Sequence, residues 1–154
     1  MIYFDNAATT KPSASALEKA KKFNEEEFFN PSALYRGGLS ASLALKEARE
    51  TILRTLGASA SDKEVIFTSC GSESDNTAIF CAVRRGVFVT DKGEHSAVYK
   101  CFNELKIRGY DIEFIDIYRN GGVNLEKLFN CIAEKKASFV SIMHVNNETG
   151  AIND

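Results

Sequence analysis

The sequence predicts an α/β fold, a mostly parallel sheet flanked by helices, and three observations carry that prediction. Short apolar runs at residues 65–68, 87–90, 112–117 and 139–143 alternate with segments whose apolar residues recur at helical spacing. Most of the runs are rich in Val, Ile and Phe and apolar on both parities, as strands buried on both faces are. Polar clusters at 69–76, 91–95 and 144–149 follow three of the runs. In open parallel sheets ligands bind there, beyond the carboxyl ends of the strands.

The elements follow in order. Asp5-Asn6-Ala7-Ala8-Thr9-Thr10 is short, polar and small, suited either to lining a site closely or to a loose N-terminal arm. Pro12 precedes a helix over residues 13–23, with Ser15 and Glu18 at capping-box spacing. Asn30-Pro31-Ser32 breaks the pattern. A second helix spans 40–56, with Ala44, Ala48, Ile52 and Leu56 as its stripe and Leu45 alongside. Gly57 suits the position after its end. The strand at 65–68 runs into the turn Ser69-Cys70-Gly71-Ser72 and a helix through Ala78, Ile79, Ala82 and Val83, stopping near Gly86. After the strand at 87–90, Ala97, Cys101 and Leu105 lie four apart in a helix over 96–108 that ends at Gly109. The strand at 112–117 leads to the turn Asn120-Gly121-Gly122, and Asn124 caps a helix carrying Leu128 and Ile132. Residues 139–143 form the last strand.

Bulk properties narrow the function. The chain has 154 residues, 44% of them hydrophobic, enough for a packed core. Nineteen basic residues stand against 21 acidic, and no basic stripe marks a nucleic-acid surface. No apolar run approaches the length of a membrane span, and the N-terminus has no signal-peptide pattern, so the expected location is the cytoplasm. Cys70, Cys81, Cys101 and Cys131 match no metal-ligand spacing, and no metal is expected. Cys81, Cys101 and Cys131 are expected as core or half-buried helix thiols.

The polar clusters offer specific chemistry. Ser69, Gly71 and Ser72 can present amide and hydroxyl donors to a dianion at a helix N-terminus, or simply form a serine-capped turn. The turn lacks the lysine of a nucleotide loop, so a phosphate bound there belongs to another cofactor. Glu73 and Asp75 suit the helix dipole and are expected to point away from an anion. His95 can stack on a planar cofactor or move a proton, or be an ordinary polar histidine. In an extended segment His144, Asn146 and Glu148 face one way and Asn147 the other. An asparagine amide there can bond a phenolate oxygen or a carboxylate, or form a turn. Arg36 with Gly37-Gly38 can meet an anion or lie at the surface.

Taken together, these blocks resemble the N-terminal part of cysteine desulfurases, within the class V group of pyridoxal-phosphate enzymes. The resemblance runs through essentially the whole chain. It is carried by Tyr3-Phe4-Asp5-Asn6-Ala7-Ala8-Thr9-Thr10, Asn30-Pro31-Ser32, Phe67-Thr68-Ser69 with Glu73-Ser74-Asp75-Asn76, Glu94-His95, and Ser141-Ile142-Met143-His144-Val145-Asn146-Asn147-Glu148-Thr149-Gly150.

The resemblance implies a partial large domain of the fold type I, aspartate aminotransferase-like fold over residues 13–154, preceded by an arm of the small-domain side over 1–12. It implies pyridoxal 5′-phosphate as cofactor, with Gly71 and Ser72 on the phosphate, His95 as the catalytic residue stacked over the ring, and Asn147 on the ring's phenolic oxygen or the substrate. Asn6, Ala7, Ala8 and Thr9 would approach from the substrate side. The parent activity would convert L-cysteine to L-alanine and an enzyme persulfide, supplying iron–sulfur cluster assembly or thiolation through a sulfur-acceptor protein. The parent would be a homodimer.

The family's cofactor-bearing lysine follows a histidine in a later block, and no Ser-x-His-Lys block occurs here. Neither the aspartate that pairs with the pyridine nitrogen nor the loop cysteine that attacks sulfur has a match. The chain alone is therefore expected to be inactive, with a sheet edge open to self-association. Cys70 stands where the family usually has glycine, Tyr35 where many relatives have histidine, and the stretch before the 87–90 strand is short. A related class V lyase or aminotransferase, such as a selenocysteine lyase, and a catalytically inactive structural fragment are the alternatives.

Overall fold

A computed structural model describes residues 2–59, 61 and 63–153. The chain divides into two compact units, Met1–Phe67 and Thr68–Asp154.

The first unit holds helices α1 (Ala14–Glu25) and α2 (Arg36–Thr55). Ser13 caps α1, its Oγ accepting the Ala16 amide at 3.2 Å. The expected capping box of Ser15 and Glu18 does not form, because Ser15 already lies inside the first turn. Helix α2 starts four residues earlier than its apolar stripe predicts. Its early glycines are used for packing: a side chain on Gly38 would stand 2.3 Å from the Ala33 carbonyl oxygen. The helix ends in a Schellman pattern, with Gly57 at φ +67° and the Ala58 amide donating to Leu53 O at 2.9 Å.

Residues 65–68 are the clearest departure from expectation. They pair with no strand among the described residues, and Ile66 is 71% exposed. The Arg49 Nε donates to Val65 O at 3.1 Å, and its guanidinium lies 5.6 Å from the centre of the Phe67 ring. Composition supplies strand propensity, but a strand exists only where a neighbour takes up its backbone groups.

The second unit comprises α3 (Gly71–Ala82), β1 (Val87–Asp91), α4 (Ser96–Ile107), β2 (Asp111–Ile115), α5 (Leu125–Lys135) and β3 (Phe139–Val140). The sheet has the order β2-β1-β3, and both pairings are parallel. Every residue of the central strand β1 is buried. Phe88 points to one face and packs with Ile79, Cys101, Phe102, Leu105 and Ile112, which come mainly from α3 and α4. Val87 and Val89 point to the other and pack with Ile115, Val123 and Leu128. The two-residue period of a strand places two cores on one short apolar run. Burying Phe88 completely contributes on the order of 2 kcal/mol.

Two strands are shorter than predicted. β3 ends at Val140 rather than residue 143: Ser141 N still donates to Val89 O at 3.0 Å, but no described strand lies on its far side. β2 ends at Ile115, and Ile117 instead bridges Val123 across the turn that follows. Cys101 is buried and Cys131 partly so, as expected, but Cys81 is exposed. It lies two residues, about 200° of helix, from the buried Ile79.

Candidate functional site

The predicted phosphate residues open α3. Gly71 and Ser72 are its first two residues, both exposed, and a side chain on Gly71 would meet nothing within 4 Å. The N-cap is Cys70, with extended backbone and no side-chain oxygen to cap the helix. Instead its thiol sits against the Glu73 amide, the Ser69 hydroxyl and the Ser72 amide, which hold it below the ordinary thiol range. The Ser69 hydroxyl and amide both donate to Glu73 Oε2, at 2.6 Å each. These bonds lower the Glu73 carboxyl. They also spend Ser69, which sequence reasoning offered as a phosphate donor, on fixing the acid. Asn76 then donates to Ser72 O at 2.7 Å and to Ala97 O at 3.5 Å, tying the first turn of α3 to that of α4.

His95 lies in the loop between β1 and α4 and is the N-cap of α4. Its Nδ1 accepts the Ala97 amide at 3.2 Å. An amide can only donate, so Nδ1 is unprotonated and the neutral ring carries its proton on Nε2. The preceding acids are drawn inward. Asp91 is almost fully buried and accepts the Gly93 amide at 2.6 Å. Burial raises its carboxyl, while the Gly93 and Glu94 amides oppose the rise. Glu94 is raised first by burial and then by the charge of Asp91.

The loop after β3 folds back on itself through an antiparallel bridge between Val145 and Ile152. Asn146, buried at 7% exposure, sits at its turn. Its Oδ1 accepts the amides of Glu148 at 3.0 Å and Thr149 at 2.9 Å, and its Nδ2 donates to Gly93 O at 2.9 Å. Asn153 holds the base of the loop, donating to Met143 O at 2.7 Å and accepting the Val123 amide at 2.9 Å. Asn147 is exposed, next to Asn146 in sequence.

His95 and Asn147 line one open cavity of about 370 Å³, with Glu94, Ser96, Asn146 and Thr149 among its walls. Lys92 stands on its edge, paired with Asp116 at 2.6 Å, and Lys127 holds the other Asp116 oxygen at 2.6 Å. Lys127 and Lys92 pull the Asp116 carboxyl down to about 2. Gly71 and Ser72 belong to the same unit but do not line this cavity. Asn6, Ala7, Ala8 and Thr9 lie in the other, in an exposed turn where the amides of Ala8 and Thr9 donate to Asp5 O. Arg36 is exposed at the first position of α2. The segment is not extended as expected: Asn146 is buried at a turn, the alternative the asparagine pair allows, while His144 and Glu148 are exposed. Among the described residues no cluster of His, Cys, Asp or Glu could hold a metal ion, and no helix is long and apolar enough to cross a membrane.

The unit thus presents an open helix N-terminus and, separately, a cavity lined by an imidazole and an amide. The N-cap Cys70 brings no side-chain oxygen, and a side chain on Gly71 would meet nothing within 4 Å, so the first residue of α3 is open. The nearest acid is turned back onto Ser69. A ring of fixed tautomer and an exposed amide share the cavity.

Comparison with known proteins places the family. The family model for aminotransferase class-V matches residues 2–154. The cysteine desulfurase NifS of Azotobacter vinelandii is 37% identical over 155 residues, covering 98% of this chain and 38% of the relative. A solved NifS-like protein superimposes with a TM-score of 0.89 at 33% identity, covering 99% of this chain and 42% of that one. A structure of SspA in complex with cysteine gives a TM-score of 0.85 at 32% identity, covering 99% and 45%. The chain thus spans about two fifths of the length of these relatives. The α/β fold with its parallel sheet is that of the NifS-like proteins.

Proposed function

This chain belongs to the aminotransferase class-V family, and on that footing we propose that it is the cofactor-cradling part of a cysteine desulfurase. The cofactor is pyridoxal 5′-phosphate. The substrate is L-cysteine, and the products are L-alanine and sulfur passed to an acceptor protein. Residues 1–12 form an arm of the small-domain side and 13–154 part of the large domain of a homodimer acting in the cytoplasm. The similarity to cysteine desulfurases and the cysteine held by the related SspA support this substrate.

One observation carries the reading. His95 and Asn147 line one cavity, in the unit that also carries the N-terminus of α3 with its open Gly71. When bound, the cofactor supplies an electron sink for bonds at the substrate's α-carbon. The chain's own residues bind and orient. The first amides of α3 and the Ser72 hydroxyl hold the phosphate. His95, its Nδ1 anchored by Ala97, presents a ring face and an Nε2 proton. The Asn147 amide donates to the ring oxygen. The family's carrier lysine and sulfur-attacking cysteine have no matching block in residues 1–154, and these residues by themselves are expected to release no alanine.

The test is a titration of the chain with pyridoxal 5′-phosphate and, separately, with pyridoxal. Saturable binding of the phosphate form, at least tenfold tighter than that of pyridoxal, with no lysine trapped by borohydride, is the expected result. Equal binding of the two forms, or none, overturns the reading.

A further inference from the structure

We propose that Asn146 is the positioning residue that couples the two loops carrying His95 and Asn147, and so sets the gap between an imidazole and an amide across the cavity. The coupling stands on geometry alone. That the gap accommodates a planar cofactor rests on the function proposed above.

Among the described residues Asn146 bonds both loops from the tip of its own, whereas Glu94, which takes the His95 amide and lies against the Met143 amide, ties the first loop to the base of the second. Its Oδ1 takes the amides of Glu148 and Thr149, a bond pattern that shapes its own loop. Its Nδ2 reaches a carbonyl 53 residues away, Gly93 O, two residues before His95. Its own amide donates to Ala151 O and its carbonyl accepts from Gly150 N, both at 2.8 Å, which locks the backbone from which the side chain extends. A planar group with an acceptor at one corner and a donor at the other is needed, and at this length only asparagine supplies it. The residue is buried, so water does not readily replace a lost partner. Asn153 holds the base of the loop through different partners, Met143 and Val123. Breaking the Asn146 bond to Gly93 therefore frees the tip relative to His95 and leaves the base in place.

Asn146→Asp isolates that bond. The carboxylate keeps two acceptors for Glu148 and Thr149 but turns an oxygen, not a donor, toward the Gly93 carbonyl. In ¹⁵N NMR spectra of the full chain without cofactor, the Glu148 and Thr149 amides are expected to stay protected from exchange. The resonances of residues 93–95 and the His95 ring are expected to shift, while those of β2 and α5 stay put. Affinity for pyridoxal 5′-phosphate is expected to fall about tenfold, the effect of one buried hydrogen bond. Unmoved resonances at 93–95 overturn the proposal, as do shifts spread evenly over the whole unit, which mark a merely structural loss.

A second measurement needs no variant. In the unsubstituted chain the Asn146 side-chain amide protons must exchange more slowly than those of the exposed Asn147; equal rates overturn the coupling. A chain that binds no pyridoxal 5′-phosphate yet shows the loop shifts upholds the coupling and overturns the cofactor reading.

Discussion

The imidazole of His95 accepts the Ala97 amide through Nδ1 at 3.2 Å, so a single ring both starts α4 and lines the cavity. The two roles separate by substitution. Asparagine caps a helix at least as well, so His95→Asn should change stability by less than about 0.5 kcal/mol. It removes the ring, and affinity for pyridoxal 5′-phosphate should fall about tenfold for the lost stacking. His95→Ala loses the cap as well and should cost about 1 kcal/mol. Urea denaturation and a fluorescence titration of each variant check both halves.

Gly71 has open space where a side chain would begin. Gly71→Asp should leave folding stability within about 0.5 kcal/mol of the original, because an acid in the first turn suits the helix dipole. The same carboxylate faces any bound phosphate, and affinity for pyridoxal 5′-phosphate should drop at least tenfold at low salt. Isothermal calorimetry beside a thermal melt measures the two effects.

Asp116 is held near 2 by Lys127 and Lys92. A carboxyl lowered on folding contributes stability above its ordinary value of 3.8, and that contribution is lost as pH falls toward 2. Asp116→Asn should flatten the stability profile in that acidic window. The group is exposed, so the difference should shrink in about 1 M salt. Thermal melts from pH 5 to about pH 2 at two salt concentrations measure it.

Asp91 and Glu94 behave oppositely. Burial raises both carboxyls, so the folded chain binds protons more tightly than the unfolded one, and stability rises as pH falls from neutral through the raised values. Asp91→Asn should remove part of that rise while keeping an oxygen for the Gly93 amide. Melts between neutral pH and the carboxyl range, compared for the two chains, give the difference.

Gly121 sits at φ +87°, and a side chain there would lie 2.3 Å from the Thr149 hydroxyl. Gly121→Ala should destabilise the chain by about 1–3 kcal/mol through strain and displacement of Thr149. Because Thr149 lines the cavity, affinity for pyridoxal 5′-phosphate should weaken together with stability, which a denaturation series with and without the cofactor would show.

Much of the architecture was readable from residue order. The apolar run at 87–90 announced the central strand, and Ala97, Cys101 and Leu105 announced the helix that covers it, because burial imposes a period on both. Asn124 and Gly57 marked helix ends through local chemistry, which neighbouring residues alone settle. The polar clusters beyond two of the strands contain His95 and Asn147, and the parallel pairing brings both to one cavity, as strands ending on one side do.

What residue order left open were the matters decided by partners distant along the chain. Residues 65–68 carry strand propensity, yet no described strand takes up their backbone groups. A serine-capped turn was open at α3, yet the N-cap position falls on Cys70, and Ser69 donates to Glu73. Asn146 read as a turn former, and only the folded chain brings Gly93 within 2.9 Å of its amide. Periodicity and capping are local and survive in a string of letters; a hydrogen bond across 53 residues exists only once the sheet has placed its two ends together.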